Sequence, residues 1–588
     1  MHEPLSRWRH LWPHRDNATA MESAAHDILS DYYRWHASLQ TTSPGPASTD
    51  SSLLQRAIAL LSDLSARLQR DSTPWPDPAY LAHMNGDVPI AASLAFFAAL
   101  LYNPNNVTAE TSLVTTELEH ELSDDLCSLF DFDTRQGWAH LCSGGHAGNY
   151  EAMWMARNLK QIPFALAEAP ACQTAMQQVA TLELHNMAPA KVVQLLCSLE
   201  PAIRDSVMHE ARTLPTTASS RERGAVYVAA HRHPAWDKCA DLLGLQLVPV
   251  VVDSTRRMDT ARLREQLLRA IGDGSPIVAV VATTGSSGEG SVDDIDAILA
   301  LRQECQTRFG ASFFIHADAA YGGYYRCLLR SQSGGPECDS NGNELAPEVA
   351  KALRALTHVD TITVDPHKSG YAPYPAGALV VRDRRYADAI AWRSRYFSET
   401  RGERRGFGAY TLEGARPGAA VAAVWTLHRL LGLHRQGLGA LLADGVYLAR
   451  RFHLALNEAA TFPIEGVLHR FVSLAMPDLA MLNFAVLPVD ENATDATNAA
   501  RISELSERVI ALAPGPEALP DTPWFSRNRV PVMHVLGQPV DSRTTTVIRC
   551  CFLKPYARDQ ADAFVLRLID RLQQQLATRR DKITPPSS

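Results

Sequence analysis

The sequence predicts an α/β fold built on a mostly parallel sheet with helices on both faces, and three observations carry that prediction. Between about residues 141 and 383, short runs rich in β-branched residues alternate with longer helical stretches. The runs are nearly continuous in apolar residues, as strands buried on both faces are. Gly, Ser, Asp and His cluster just after the runs, where the ligand crevice of such a sheet lies. With 588 residues, 46% of them hydrophobic and 20% charged, the chain has ample material for a large core.

In chain order, an N-terminal helical arm comes first. ASLQTTSPGPASTDSS at 37–52, rich in Ser, Thr and Pro, then predicts a flexible connection. VPIAASLAFFAALLY at 88–102 predicts a buried helix. The glycine-rich CSGGHAGNYEAMWMARN at 142–158 reads as a turn opening a helix. Strands are expected at GAVYVAA (224–230), IVAVVATTG (277–285), SFFIHADAAY (312–321), TITVDPHK (361–368) and AGALVVRD (376–383), with a break at 331–346. After about residue 420 a long helical pattern leads into the alternating runs LNFAVLPV and TTTVIRCCFL, the signature of a smaller α+β domain. The expected division is an N-terminal helical segment (1–110), a large α/β domain (111–420), a small C-terminal α+β domain (421–580) and a disordered tail (581–588).

The formal charge of -8 supplies no basic field for nucleic acid, and no lysine-rich block points to a membrane surface. The run at 88–102 is shorter than the ~20 residues a bilayer span needs. The N-terminus is polar without an apolar core, so a secretory signal is not expected. The ten cysteines are scattered, with no CxxC pair and no metal-ligand spacing, which fits a reduced, cytoplasmic setting and no metal.

The candidate chemistry starts at TVDPHKSGYAPYPAGALVV (363–381), where Lys368 sits in a turn between apolar residues. Burial costs an ammonium its hydration and favours the neutral amine, a nucleophile towards carbonyls. Asp318 follows a strand and opens DAAYGGYY, whose small residues would let a planar ligand approach the backbone. His233 also follows a strand, and TTGSSGEGSVDDID (283–296) offers hydroxyls and glycines in a loop. The glycine turn at 142–158 has the form that binds phosphate at a helix start. One ligand, pyridoxal phosphate, needs all of these together: an imine-forming lysine, an anion-binding turn, a carboxylate facing its ring nitrogen and an aromatic partner on its face.

From about residue 78 to 556 the sequence resembles the group II pyridoxal-phosphate-dependent amino-acid decarboxylases, in particular the bacterial tyrosine decarboxylases. The carrying stretches are YLAHMNGD, LYNPNNVTAETSLVTTELEHEL, CSGGHAGNYEAMWMARNLK, HADAAYGGYY, VDPHKSGYAPYPAG and LEGARPGAAVAAVW. The resemblance implies a fold-type I enzyme with a seven-stranded-type sheet, pyridoxal 5'-phosphate as cofactor, an amino-acid substrate and a homodimer. It implies Lys368 as the cofactor's covalent anchor, Asp318 as partner of the ring nitrogen, His233 stacked on the ring and Ala320 against the opposite face. Gly145, His146, Ser286 and His367 fall to the phosphate region, Tyr374 to the proton donor and Arg549 to the substrate carboxylate. Two positions depart from the pattern: His146 where relatives usually carry Ser or Thr, and Ala415 where Ser is common, which suggests more reliance on backbone N–H groups. An acidic substrate, or a related lyase or aminotransferase, would leave the cofactor residues looking alike, and a silent cofactor-binding scaffold is the reading from outside the enzymes.

Overall fold

The computed structural model describes residues 9–39, 51–176, 179, 181–213, 224–333, 335, 344–392, 406–489, 495–511, 523–536, 543–555 and 558–578. Most of the connection expected at 37–52, most of the break at 331–346 and the tail at 581–588 lie outside the described residues.

A seven-stranded sheet organises the larger part of the chain. Its strands are β1 (Trp138–Cys142), β2 (Ala225–Ala229), β3 (Gln246–Val250), β4 (Ile277–Thr283), β5 (Phe314–Asp318), β6 (Thr361–Val364) and β7 (Gly377–Val381), in the spatial order β1-β7-β6-β5-β4-β2-β3. Parallel pairing joins β3, β2, β4, β5 and β6, whereas β7 runs against both β6 and β1. All five runs expected as strands form strands. They are buried almost throughout, which is why their sequences do not alternate. The two strands the pattern missed are β1, whose WAHLC lacks β-branched residues, and the edge strand β3, which carries Pro249 and exposed positions.

Helices α1 (Arg15–Ser38), α2 (Ser52–Asp71), α3 (Ile90–Leu101) and α4 (Leu113–Leu129) precede the sheet, and α5 (Gly145–Glu168) crosses its face with sixteen buried residues. The apolar run at 88–102 does form a helix, α3, but the expectation that it is buried is corrected: Ala92 alone is fully covered. The helix lies against α1 and the helix Gly418–Leu431, and among the described residues its remaining sides stay half-buried, with Leu100 exposed. The C-terminal sheet is antiparallel: β8 (Phe462–Ile464), β9 (Val467–Ser473), β10 (Met481–Pro488), β11 (Ser526–Pro531) and β12 (Thr544–Cys551), ordered β11-β12-β10-β9-β8. Glu465 and Gly466, at φ of 52° and 82°, form the two-residue turn between β8 and β9. Among the described residues no helix is long and apolar enough to cross a membrane, no cluster could hold a metal ion, and the nine cysteines are free.

Two of the stretches that carry the resemblance, NPNNVTAETSLVTTELEHEL and LEGARPG, meet in a buried polar knot. The Arg416 guanidinium grips Glu119 with both terminal nitrogens, donating at 3.0 Å to Oε2, and also donates to the carbonyls of Asn106 (2.9 Å) and Leu141 (2.8 Å). Glu119 Oε1 accepts from Leu141 N at 2.9 Å, and Asn106 Nδ2 donates to Glu119 Oε2 at 2.9 Å. The knot ties α4 to β1 and to the 414–418 turn. Arg416 and Glu119 are fully desolvated, so removing one leaves the other charge unpaired inside the protein. Glu119→Ala is expected to cost roughly 3–5 kcal/mol of stability, seen as a lower denaturation midpoint.

Candidate active site

A cavity of about 280 Å3 opens where β4, β5 and β6 end and α5 begins. Eight of the ten site residues expected from the sequence line it: Gly145, His146, His233, Ser286, Asp318, Ala320, His367 and Lys368. Tyr374 and Arg549 stand outside its lining.

Lys368 leaves β6 on a tight turn in which its N–H donates to Asp365 O at 3.0 Å. Its ammonium lies 2.8 Å from Asp365 Oδ2, and His367 Nε2 is 3.5 Å from the same oxygen. The expectation that burial leaves this amine neutral is corrected. Burial does lower the lysine, but the charges of Asp365 and then Asp318 outweigh it and hold the amine above its usual range. A quarter of the side chain stays open to the cavity. Asp365 Oδ1 is buried without a hydrogen-bond partner. A Cβ at residue 145 would sit 3.0 Å from Asp365 Oδ2 and 3.2 Å from Ala320 Cβ, so the glycine makes room for the carboxylate and for the cavity wall.

Asp318 ends β5 and points into the same space. Its Oδ2 accepts from Asn149 Nδ2 (3.1 Å) and Trp236 Nε1 (3.0 Å), while Oδ1 has one long contact, Ala320 N at 3.4 Å. One carboxylate oxygen is thus saturated and the other is left to the cavity. Of DAAYGGYY, Asp318, Ala320 and Tyr321 line the cavity. Of the small residues expected to admit a ligand, Ala320 is at the cavity, whereas Gly322 and Gly323 make room for Thr284 and Val364 of the neighbouring strand ends. His233 is held by Ala235 N donating to its Nδ1 at 3.1 Å, and burial, then the neighbouring His146, lowers its basicity. His146, in the first turn of α5, meets His233 edge-on with ring centroids 4.9 Å apart. In that first turn Ala147 N and Gly148 N donate to Gly144 O (2.9 and 3.4 Å), which leaves the N–H groups of Gly145 and His146 for a ligand.

Ser286 lines the cavity, but its hydroxyl proton is directed at Glu289 Oε2 (3.2 Å), and its oxygen accepts from Glu289 N, Ser291 N and Ser291 Oγ. Tyr374 stacks on His367 with centroids 4.1 Å apart and donates to Asn85 Oδ1 at 2.9 Å, with half its surface exposed. Arg549, on β12, donates to the carbonyls of Ser287 and Ala82 (3.3 Å) and to Ser526 Oγ (2.9 Å). No described carboxylate pairs with it. Ser287 and Met84, next to its anchors, line the cavity. Ala415 is exposed and lies off the cavity. From the N-terminal arm, Trp12 donates to Asp87 O at 2.7 Å and packs edge-on against Tyr371, bracing the lysine turn from behind.

Sequence reasoning missed Asp365, Asn149 and Trp236. Each lies within three or four residues of a residue it did select: Asp365 before Lys368, Asn149 after His146 and Trp236 after His233.

Residues 151–331 match the family described as the pyridoxal-dependent decarboxylase conserved domain. The chain is similar to the L-tyrosine decarboxylase of Levilactobacillus brevis, 32% identical over 503 residues that cover 81% of this chain and 79% of that protein. It is similar as well to that of Enterococcus faecalis, 33% identical over 72% and 70% of the two chains. Among solved structures, the glutamate decarboxylase domain of a Vibrio parahaemolyticus protein superposes with a TM-score of 0.60 at 15% identity, covering 97% of this chain and 99% of that one. Catharanthus roseus tryptophan decarboxylase in complex with L-tryptophan gives 0.58 at 16%, covering 96% and 99%.

Proposed function

The chain belongs to the pyridoxal-dependent decarboxylase family, and from that premise we propose that it decarboxylates L-tyrosine, with Lys368, Asp318, His233 and Arg549 carrying the site. The enzyme is a carboxy-lyase acting on an amino acid with pyridoxal 5'-phosphate as cofactor. The cavity fits that group. It presents an amine, a carboxylate whose Oδ1 carries only the long Ala320 contact, an imidazole and the N–H groups of Gly145 and His146. When bound, the cofactor supplies an electron sink for the bond between Cα and the carboxylate.

The protein's own residues divide the remaining work. Lys368 is the covalent anchor, and Asp365 beside it receives or supports the proton that the amine must shed. Asp318, fixed through Oδ2, would hold the proton of the cofactor's ring nitrogen through Oδ1. His233 and Ala320 would bind the ring, and Gly145 and His146, with His367 nearby, would hold the phosphate. Ser286 shapes that side of the cavity through its loop, since its hydroxyl is committed to Glu289 and its N–H to Ser291 O at 3.0 Å. Tyr374, six residues after the lysine, is the candidate proton donor to Cα, reaching it once Asn85 releases the hydroxyl.

Arg549, anchored on Ser287 of the cavity lining, has no acid partner among the described residues, and we assign it the substrate carboxylate. Losing such a charge-assisted contact removes about 1.5–3 kcal/mol. Arg549→Gln is therefore expected to raise KM by roughly 10- to 100-fold, with a smaller change in kcat, measured by initial rates.

The observation that carries tyrosine as substrate is the pair of L-tyrosine decarboxylases aligned over more than two thirds of both chains. Carbon dioxide release from a panel of L-amino acids tests it. Release from tyrosine supports the reading, and release confined to aspartate or glutamate overturns it. That second reading has some support: a protein of Methanothermobacter thermautotrophicus named a probable L-tyrosine/L-aspartate decarboxylase is 31% identical over 40% of this chain.

We further infer a homodimer in the cytoplasm. Helix α2 buries no residue in the single chain, although Leu53 and Leu61 are 73% and 67% exposed. Most helical stability in a protein comes from packing an apolar face, so the apolar side of α2 requires a cover. A second copy, which would carry the same face, supplies one. Light scattering at the monomer mass of 64.5 kDa would refute the dimer.

A further inference from the structure

Behind Asp318 lies a buried chain of hydrogen bonds that reaches the middle of the sheet. His316 is two residues before Asp318 on β5 and so shares its face. It is fully buried, pairs in register with Thr361 of β6, and is capped by the Trp236 ring 5.7 Å away. Its Nδ1 lies 2.8 Å from Thr361 Oγ1 and its Nε2 lies 2.9 Å from Asn149 Oδ1.

The direction of each bond follows from the one before it. An ionised Asp318 can only accept, so Asn149 must turn its NH2 to it at 3.1 Å. The Asn149 oxygen then faces His316, whose Nε2 must carry the hydrogen. Burial lowers the imidazole's pKa to about 4, so it is neutral, and its bare Nδ1 accepts from the Thr361 hydroxyl. Without His316, the Asn149 oxygen would lose its donor and the amide would be held at one end only, by Asp318.

We propose that His316 is a positioning residue for the decarboxylation. Acting through Asn149, it keeps Asp318 Oδ2 occupied by donors, so that Oδ1 alone faces the cofactor's ring nitrogen. The proposal rests on the assignment of Asp318 to that nitrogen.

The test uses holoenzyme in four forms besides the wild type: His316→Leu, His316→Gln, Asn149→Leu and the His316→Leu/Asn149→Leu double variant. Two readouts are taken, kcat and KM on the amino acid that the carbon dioxide panel selects, and the protonation of the ring nitrogen from 15N NMR of ring-labelled cofactor across pH. His316→Leu is expected to lower kcat about tenfold with KM little changed, and to bring down the pH at which the ring nitrogen loses its proton by about one unit. His316→Gln, which returns a donor at the Nε2 position, should restore most of both. The double variant should be no worse than Asn149→Leu alone, because the histidine acts through that amide.

Wild-type behaviour of His316→Leu, a Gln variant as impaired as Leu, or additive losses in the double variant would each overturn the proposal. Should the Leu variant fail to fold, the Gln and Asn149 variants decide: a shifted ring-nitrogen titration in Asn149→Leu and none in His316→Gln supports it, and the reverse sinks it. Asp318→Asn serves as the parent control. If that substitution leaves the titration unmoved, the assignment of Asp318 has failed. If it moves the titration while the His316 and Asn149 variants do not, only the positioning role has.

Discussion

Replacement of Lys368 by alanine is expected to abolish turnover, by on the order of 10³-fold or more, the scale on which loss of a covalent nucleophile acts, and to remove the visible absorbance of the bound cofactor. The geometry also warns of a confounding effect. Asp365 is 2% exposed and its Oδ2 is compensated mainly by the lysine ammonium, so Lys368→Ala leaves a buried carboxylate whose nearest remaining basic group is His367. Some of any loss would then reflect a weakened turn. Lys368→Arg separates the two effects. A guanidinium retains the charge beside Asp365 but cannot form the covalent link, so this variant should keep the denaturation midpoint near wild type and still lose activity and absorbance. Substantial carbon dioxide release from Lys368→Arg would remove the lysine from its assigned role, whatever the alanine variant did.

The way the site is built explains how much of it could be read from the sequence. Lys368, Asp318 and His233 were legible because each follows a buried strand whose apolar run announces itself, and parallel strands deliver their ends to one edge. Asn149 and Trp236 were not, because their role depends on which face of α5 and of the helix Ala235–Leu243 meets the end of β5, a matter of packing between distant segments. The charge of Lys368 was misjudged for the same reason. Sequence indicates burial, whereas the sign of the shift is decided by Asp365, folded back within one turn, and by Asp318, brought in from another strand. Similarly, LEGARPG and the α4 stretch look like site motifs, yet the Arg416–Glu119 pair shows that part of their content is structural. The exposed apolar sides of α2 and α3 mark the other limit, since a pattern reports that a face needs cover without reporting which chain provides it.

Asp318→Asn should have the second large effect, and its hydrogen bonds dictate how. The substitution preserves shape, but two donors, Asn149 Nδ2 and Trp236 Nε1, converge on the Oδ2 position. Only the amide oxygen can satisfy them, so the new NH2 group must take the Oδ1 position and face the cofactor's ring nitrogen. A donor there cannot coexist with a protonated nitrogen, and the ring becomes a neutral, weaker electron sink. The contacts that hold the phosphate and the lysine link are untouched. The expected result is a fall in kcat on the order of 10²-fold or more, comparable to the loss of one preorganised charge-stabilising group, with much less change in cofactor occupancy. Were Trp236→Phe introduced in the same chain, Asn149 Nδ2 would remain as a donor and still hold the amide oxygen at the Oδ2 position. That double variant should therefore not recover the lost rate, whereas Trp236→Phe alone, in which Asp318 is unchanged, should cost less than Asp318→Asn. A kcat for Asp318→Asn within a few-fold of wild type would mean that the ring nitrogen's proton is held by some other group.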